Sequence, residues 1–316
     1  MRVPTIAIPL ALGLLLTVGV FSAIGQPPDG IELTIDDIPW HRVAFRSQHP
    51  LVTVSTRLDL SLIPWDEVAP RLVSAAEGVP VMPITADILA ISVTTAITPA
   101  LRTGANITND IWIDPKTSGA LGRRRIRLGD DDFDKQYRFA EGGVFRHRVE
   151  PKDKEEIPLG PEKWTDIRDT FYPYGAASQT CPLVTDRVAL IVIASATLTS
   201  AEAPPITLCA FGKRGLHEVV LTPEAVTTTA VDYEETGPQG VRDRREERST
   251  IKVRLTSRLL ETGSGIDETF SLLGFQKDIV LFIDPAHRLP VRIDGHIAYV
   301  GQVSLGIGAV DMRPEQ

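Results

Sequence analysis

The stretch LVTVSTRLDLSL, Leu51–Leu62, alternates without interruption. Val52, Val54, Leu58, Leu60 and Leu62 point one way; Thr53, Ser55, Arg57, Asp59 and Ser61 point the other. Period-two alternation over about eleven residues predicts a long β-strand with one dry and one wet face. Pro64 ends it. The stretch STIKVRLTSRLL, 249–260, repeats the pattern, with Ile251, Val253 and Leu255 on one face and Lys252, Arg254 and Thr256 on the other.

Outward from these two, ADILAISVTTAI (86–97) and ANITNDIWID (105–114) are β-branched, bounded by turn formers, and read as strands. RRRIRL and YRFAEGGVFRHRV continue the pattern, with Gly142-Gly143 as a tight turn. ITLCAFG, LHEVVLT and AVTTTAVDYEE read as a meander of three strands, and GPQGVRDRREERS (237–249) as a charged hairpin end or loop. Three closing strands lie around IVLFID, LPVRIDG and GQVSLGIGAV. Helical periodicity is scarce. PWDEVAPRLVSA predicts a short helix interrupted at Pro70, DIRDTFYPYG a helical turn, and TDRVALIVIASATL a buried helix or strand. Residues 150–165 are charged and proline-rich and read as an exposed loop. The fold class is therefore mainly β: a large antiparallel curved sheet or incomplete β barrel with a few short covering helices.

The first 26 residues follow a different plan. One arginine precedes an uncharged apolar run from Val3 to Phe21, and Ala23 and Gly25 stand where a signal peptidase reads before Gln26. This predicts a signal peptide over residues 1–25 and export to the periplasm or beyond. The competing reading is an anchor in the inner membrane through residues 3–21, which Pro4 and Pro9 disfavour. Residues 26–316 are expected to form a single β-rich domain, with a looser N-terminal half to about residue 120. A net charge of -8 and a pI near 5.3 argue against a general nucleic-acid binder. In an exported chain Cys181 and Cys209 invite a disulfide, worth about 3 kcal/mol in the chain-entropy model; two buried thiols that never meet are the alternative.

Several constellations bear on chemistry. Asp130, Asp132, Asp134 and Glu141 fit four positions of a twelve-residue calcium loop, but Lys135 holds the place of the turn glycine. An acidic turn neutralised across a hairpin by Arg123, Arg124, Arg125 and Arg127 is the preferred reading, so no metal is expected. Among His41, His49, His147, His217, His287 and His296 no zinc-site spacing occurs, although His287 and His296 flank one candidate hairpin. Ser271, His287 and Asp284 can be drawn as a hydrolase triad without a GxSxG elbow, and no P-loop or GxGxxG is present. The remaining candidate is the dry face itself: Val54, Leu58, Leu60, Val253, Leu255, Val291 and Ile293 either pack as core or line an apolar groove. Trp40, Trp65, Trp112 and Trp164 either border that groove or join the core.

The segments RVALIVIASATLTSAEAPPITLCAFGKRGLHEVVL and DPAHRLPVRIDGHIAYVGQVSLGIGAV carry a resemblance. With Phe211, Lys213 and Arg214 in the first and the turn Arg288–Pro290 and Gly301 in the second, the last 140 residues or so resemble a family of secreted Gram-negative proteins. That family's fold is similar to lipoprotein carriers, an incomplete β barrel with helices in its mouth. The resemblance implies a periplasmic, cofactor-free binding or scaffolding role and carries over no catalytic residue. The expectation is thus a non-catalytic protein holding an apolar ligand, lipid or lipid-modified protein on the concave face, at most peripheral to the membrane. The alternatives are an envelope assembly factor that holds a protein partner through a strand edge or the arginine-rich hairpin, and a hydrolase.

Overall fold

The computed structural model describes residues 30–49, 52–99, 104–129, 131–262 and 268–314. In chain order the first elements are β1 (Trp40–His49), β2 (Val52–Pro64), α1 (Trp65–Val68), β3 (Asp87–Pro99), β4 (Ala105–Ile113) and β5 (Ala120–Leu128). They are followed by β6 (Phe133–Ala140), β7 (Gly143–Glu150), β8 (Asp166–Pro173), β9 (Val184–Asp186), α2 (Ala189–Thr197) and β10 (Ile206–Phe211). The last are β11 (Gly215–Gly237), β12 (Gly240–Thr262), β13 (Phe275–Asp284), β14 (Leu289–Ile297) and β15 (Gly301–Met312).

All fifteen described strands belong to one sheet, in the order 8-7-6-5-4-3-2-1-15-14-13-12-11-10-9. The chain starts in the middle, meanders outward to β8, crosses to the other edge at β9, and meanders back to β15 beside β1. Neighbours are antiparallel except β9–β10 and a second pairing of β11. There Glu234–Thr236 run parallel to Ala309–Asp311, so that β11 to β15 close into a partial ring. The mainly β, curved and incompletely closed sheet expected from the alternating stretches is the observed architecture.

Curvature comes from bulges. Register shifts interrupt β1–β15 at two places and β13–β14 at three, and each extra residue bends a strand and increases its twist. The dry faces then point at a common interior, where α2 sits. Ala189, Leu190, Ile191, Val192, Ile193 and Ala194 are all fully buried. A helix apolar on every side is stable only where every side is covered, and the curled sheet covers this one. Each Leu or Ile so enclosed contributes about 1.5–3 kcal/mol relative to exposure. The helix start is fixed by Asp186, whose Oδ1 accepts the Val188 N–H at 2.8 Å.

Three local expectations are corrected. LHEVVLT and AVTTTAVDYEE are one 23-residue strand, β11, with a register shift at Pro223 where a ladder N–H is missing. Of the two readings of the charged run 237–249, the hairpin end holds and the loop does not, since 240–248 is the first half of β12, paired with β11. DIRDTFYPYG holds an edge strand, β8, rather than a helical turn.

Candidate functional site

On β5, period-two geometry separates the arginines. Arg124 faces outward, while Arg123, Arg125 and Arg127 face the interior side, the side of Ile111 on β4. Several charges of the outer face are paired. Arg42 pairs with Asp59 at 2.5 Å and Asp311 at 2.8 Å, Arg124 with Asp134 at 2.9 Å, and His147 with Asp169 at 2.7 Å.

The inner face differs. Arg125 stands opposite Lys135 on β6, which stands opposite Arg148 on β7, so three cations occupy one register row on adjacent strands. In the next row Arg123, Tyr137 and Arg146 are aligned. Like charges directly opposite each other destabilise a sheet. Arg148 pairs with Glu150, and Arg146 donates to Thr170 Oγ1 at 3.0 Å. Arg125 and Lys135 form no ion pair with any described carboxylate; the Lys135 ammonium lies 3.5 Å from the Phe133 ring centre and the Arg125 guanidinium 5.6 Å from it.

This face is the floor of a cleft of about 930 Å³. Its opposite wall is built from Arg187 and Val188 at the start of α2, the β10–β11 turn with Lys213 and Arg214, and residues 268–276. Among the described residues, nine Lys and Arg side chains line it against three carboxylates, Asp131, Glu150 and Glu268. Glu268 already accepts the backbone N–H groups of Lys213 and Arg214, the latter at 2.5 Å. The two walls are tied at the inner end by the buried pair Arg123–Asp186, 2.7 Å, and the Cys181–Cys209 disulfide, whose Cα atoms are 5.7 Å apart, fastens the segment before β9 to β10.

The titration behaviour follows from this crowding. Burial, and then the charges of Arg148, Arg125, Arg146 and Lys213, push the Lys135 ammonium down to about 7. Burial and Arg187 push Arg125 down to about 10. Arg187 itself is lowered by burial and by Arg123. Among the described residues the site carries fewer carboxylates than cations. Arginine forks are the groups best matched to phosphate, sulfate or carboxylate oxygens, which they bind in pairs.

The residues singled out from the sequence fall elsewhere for the most part. Val54, Leu58, Leu60, Val253, Leu255, Val291 and Ile293 all belong to the main buried cluster that contains α2, and none lines the cationic cleft. Leu60 also lines a second pocket of about 670 Å³, with Arg42 and Trp112. Trp40 is fully buried and donates to Arg288 O at 2.8 Å; Trp164 lies under the 150–165 loop and donates to Glu156 O at 3.0 Å. Trp65 and Trp112 pack in a satellite cluster with Val68 and Ile88. None of the four borders the cleft.

Asp130 lies outside the described residues. Asp132 accepts the Gly129 N–H, Asp134 faces Arg124, and Glu141 follows the far end of β6. Seven positions along a strand separate Asp134 from Glu141 by about 23 Å, so these residues do not close into a calcium loop. Neutralisation of the acidic turn by all four arginines is likewise corrected, since Arg123 turns to Asp186 and Arg125 into the cleft. His287 and His296 sit at opposite ends of β14. Asp284 accepts from Arg248 at 2.8 Å and lies 2.9 Å from His287 Nδ1, whereas Ser271 lines the cleft, and no hydrogen bond joins it to either. Of the residues singled out from the sequence, the cleft contains Arg123, Arg125, Arg127, Lys135, Ser271, and Lys213 and Arg214 of the resemblance-bearing hairpin.

Comparison with family models, with curated proteins and with solved structures finds no match to this chain.

Proposed function

We propose that this chain is an exported binding protein whose ligand is an anion held in the cationic cleft. The observation that carries the reading is Lys135, nearly sealed from solvent between Arg125 and Arg148, with no described carboxylate paired to it. Burying an unpaired charge is costly, and placing two like charges beside it adds to the cost. An anion in the cleft supplies the missing partner. Its approach is favoured by the field of the clustered cations, although the chain as a whole carries a net charge of -8. Export is supported by the leader-like start of the sequence and by the Cys181–Cys209 bond, which belongs to oxidising compartments. Among the described residues no helix is long and apolar enough to cross a membrane.

Thermal unfolding in chloride, phosphate, sulfate and pyrophosphate at one ionic strength tests this. An anion at a hundred times its Kd stabilises by about 2.7 kcal/mol, which for about 290 residues is about 4–5 °C. The shift is expected for the multivalent oxyanions and should vanish when Arg125 and Lys135 are both changed to Met. Equal melting in all four salts would sink the proposal. Native mass spectrometry of the chain from its own host should show an added mass that partitions into water; one that extracts into solvent as a neutral lipid would contradict it.

A further inference from the structure

The geometry points to a compact ligand carrying several phosphate- or sulfate-type groups on adjacent carbons, read by the cleft floor as a lattice. The inference rests on the anion-binding reading and narrows it to one ligand class. Its basis is register. Arg125, Lys135 and Arg148 follow one another across three strands, and Arg123 and Arg146 flank Tyr137 in the neighbouring row. Adjacent strands are about 4.8 Å apart and same-face residues along a strand about 6.8 Å apart. The cations thus form a grid whose pitch suits groups on neighbouring ring carbons, each bridged by two side chains. A lone tetrahedral anion uses two or three such cations; among the described residues nine line this cleft, of which Arg123 is held by Asp186 and Arg148 by Glu150. The walls also limit length, because α2 and residues 268–276 stand across from the grid.

Lys135 then reports occupancy. The groups that face it are Arg125 from β5, Arg146 and Arg148 from β7, and Lys213 from the β10–β11 turn, with Asp131, Glu150 and Glu268 as the carboxylates of the same cleft. Anions inserted among them favour its charged form, so binding at pH 8 takes up a proton.

Calorimetry on the full chain decides this with three probes. Inositol hexakisphosphate has neighbouring phosphates, fructose bisphosphate has phosphates at opposite ends, and inositol hexakissulfate has the same arrangement as the first without titratable protons. The hexakisphosphate should bind at least about tenfold tighter than the bisphosphate. Binding of the hexakissulfate at pH 8 should be accompanied by uptake of close to one proton by the protein, read from heats in two buffers, and Lys135→Met should abolish the uptake while retaining the fold. Affinities within about twofold for the two phosphates, or no proton difference between the unaltered chain and the variant, overturn the lattice and leave the anion site standing. No binding of any probe overturns both. Vesicles containing phosphatidylinositol bisphosphate separate a lipid headgroup from a free ligand. Co-sedimentation that hexakisphosphate competes away supports the lattice with a headgroup as its source, and co-sedimentation that it cannot compete contradicts it.

Discussion

The Arg123 guanidinium donates to Asp186 Oδ2 at 2.7 Å across 63 residues of sequence, and both side chains are shut off from solvent. Asp186 spends its other oxygen on the Val188 N–H at 2.8 Å, so one carboxylate joins the β5 wall, the β9 wall and the start of the central helix. Asp186→Asn keeps the shape and the acceptor for Val188 but removes the charge. An uncompensated buried arginine typically costs about 3–5 kcal/mol, or about 5–8 °C for a chain of this size. Adding Arg123→Met to Asp186→Asn should recover most of that loss, and multivalent anions should recover part of it. A single variant that melts within about 1 °C of the unaltered chain would show that the pair bears no weight.

Lys135 sets a distinctive pH dependence. Its folded value is about 7, against an ordinary 10.5. Between those values the unfolded chain holds the proton and the folded chain does not, so this group's contribution to stability rises with pH across the window. Below pH 7 the penalty is complete and constant; above 10.5 it is gone. Lys135→Met should therefore be more stable than the unaltered chain at pH 6, with an advantage that shrinks steadily towards pH 10. Urea midpoints at pH 6, 8 and 10 measure it. An advantage independent of pH would mean that packing, not charge, accounts for the difference.

Much of the fold could be read from Leu51–Leu62 and residues 249–260, because strict alternation leaves little choice but a long half-buried strand. The long strands β11 and β12 were harder for physical reasons. Pro223 reads as a terminator but sits at a bulge, and the run from Val241 to Arg248 reads as solvated loop but is paired across the hairpin. Arg244–Glu235 at 2.6 Å and Arg245–Asp232 at 2.8 Å are two of its contacts. Edge strand β8 has one neighbour and little to bury, so it lacks an alternating signal. The site was half visible. Alternation alone puts Arg123, Arg125 and Arg127 on one face, but nearby aspartates offered a local explanation for all the arginines. Only the register, with Lys135 between Arg125 and Arg148, shows the cations gathered with few described carboxylates beside them.

The Cys181–Cys209 disulfide closes a loop with a sequence separation of 28 and pins the β9–β10 edge beneath the cleft. The chain-entropy model assigns such a loop about 3–4 kcal/mol. Changing both cysteines to Ala should lower the melting temperature by about 6 °C and weaken anion binding more than it weakens the β11–β15 ring, since Arg187, Lys213 and Arg214 hang on that edge. Hydrogen exchange resolved by segment checks the second part. Uniform loss of protection over the whole sheet would argue against a local role for the bond.

The central helix provides the sharpest contrast between an anionic and an apolar ligand. Ile191 is fully buried in the same cluster as Val54, Leu58, Val253 and Ile293. Ile191→Ala should cost about 2–5 kcal/mol, because the enclosing strands cannot all move in to fill the space. The unaltered chain should show no saturable binding of an uncharged solvatochromic dye, as its concave face is already covered by α2. The cleft variant Lys135→Met should leave the dye result unchanged, while altering anion affinity. Stoichiometric dye binding by the unaltered chain, displaced by a fatty acid and indifferent to sulfate, would mean that α2 yields its place to an apolar guest. The function would then lie on the dry face of the sheet rather than in the cationic cleft.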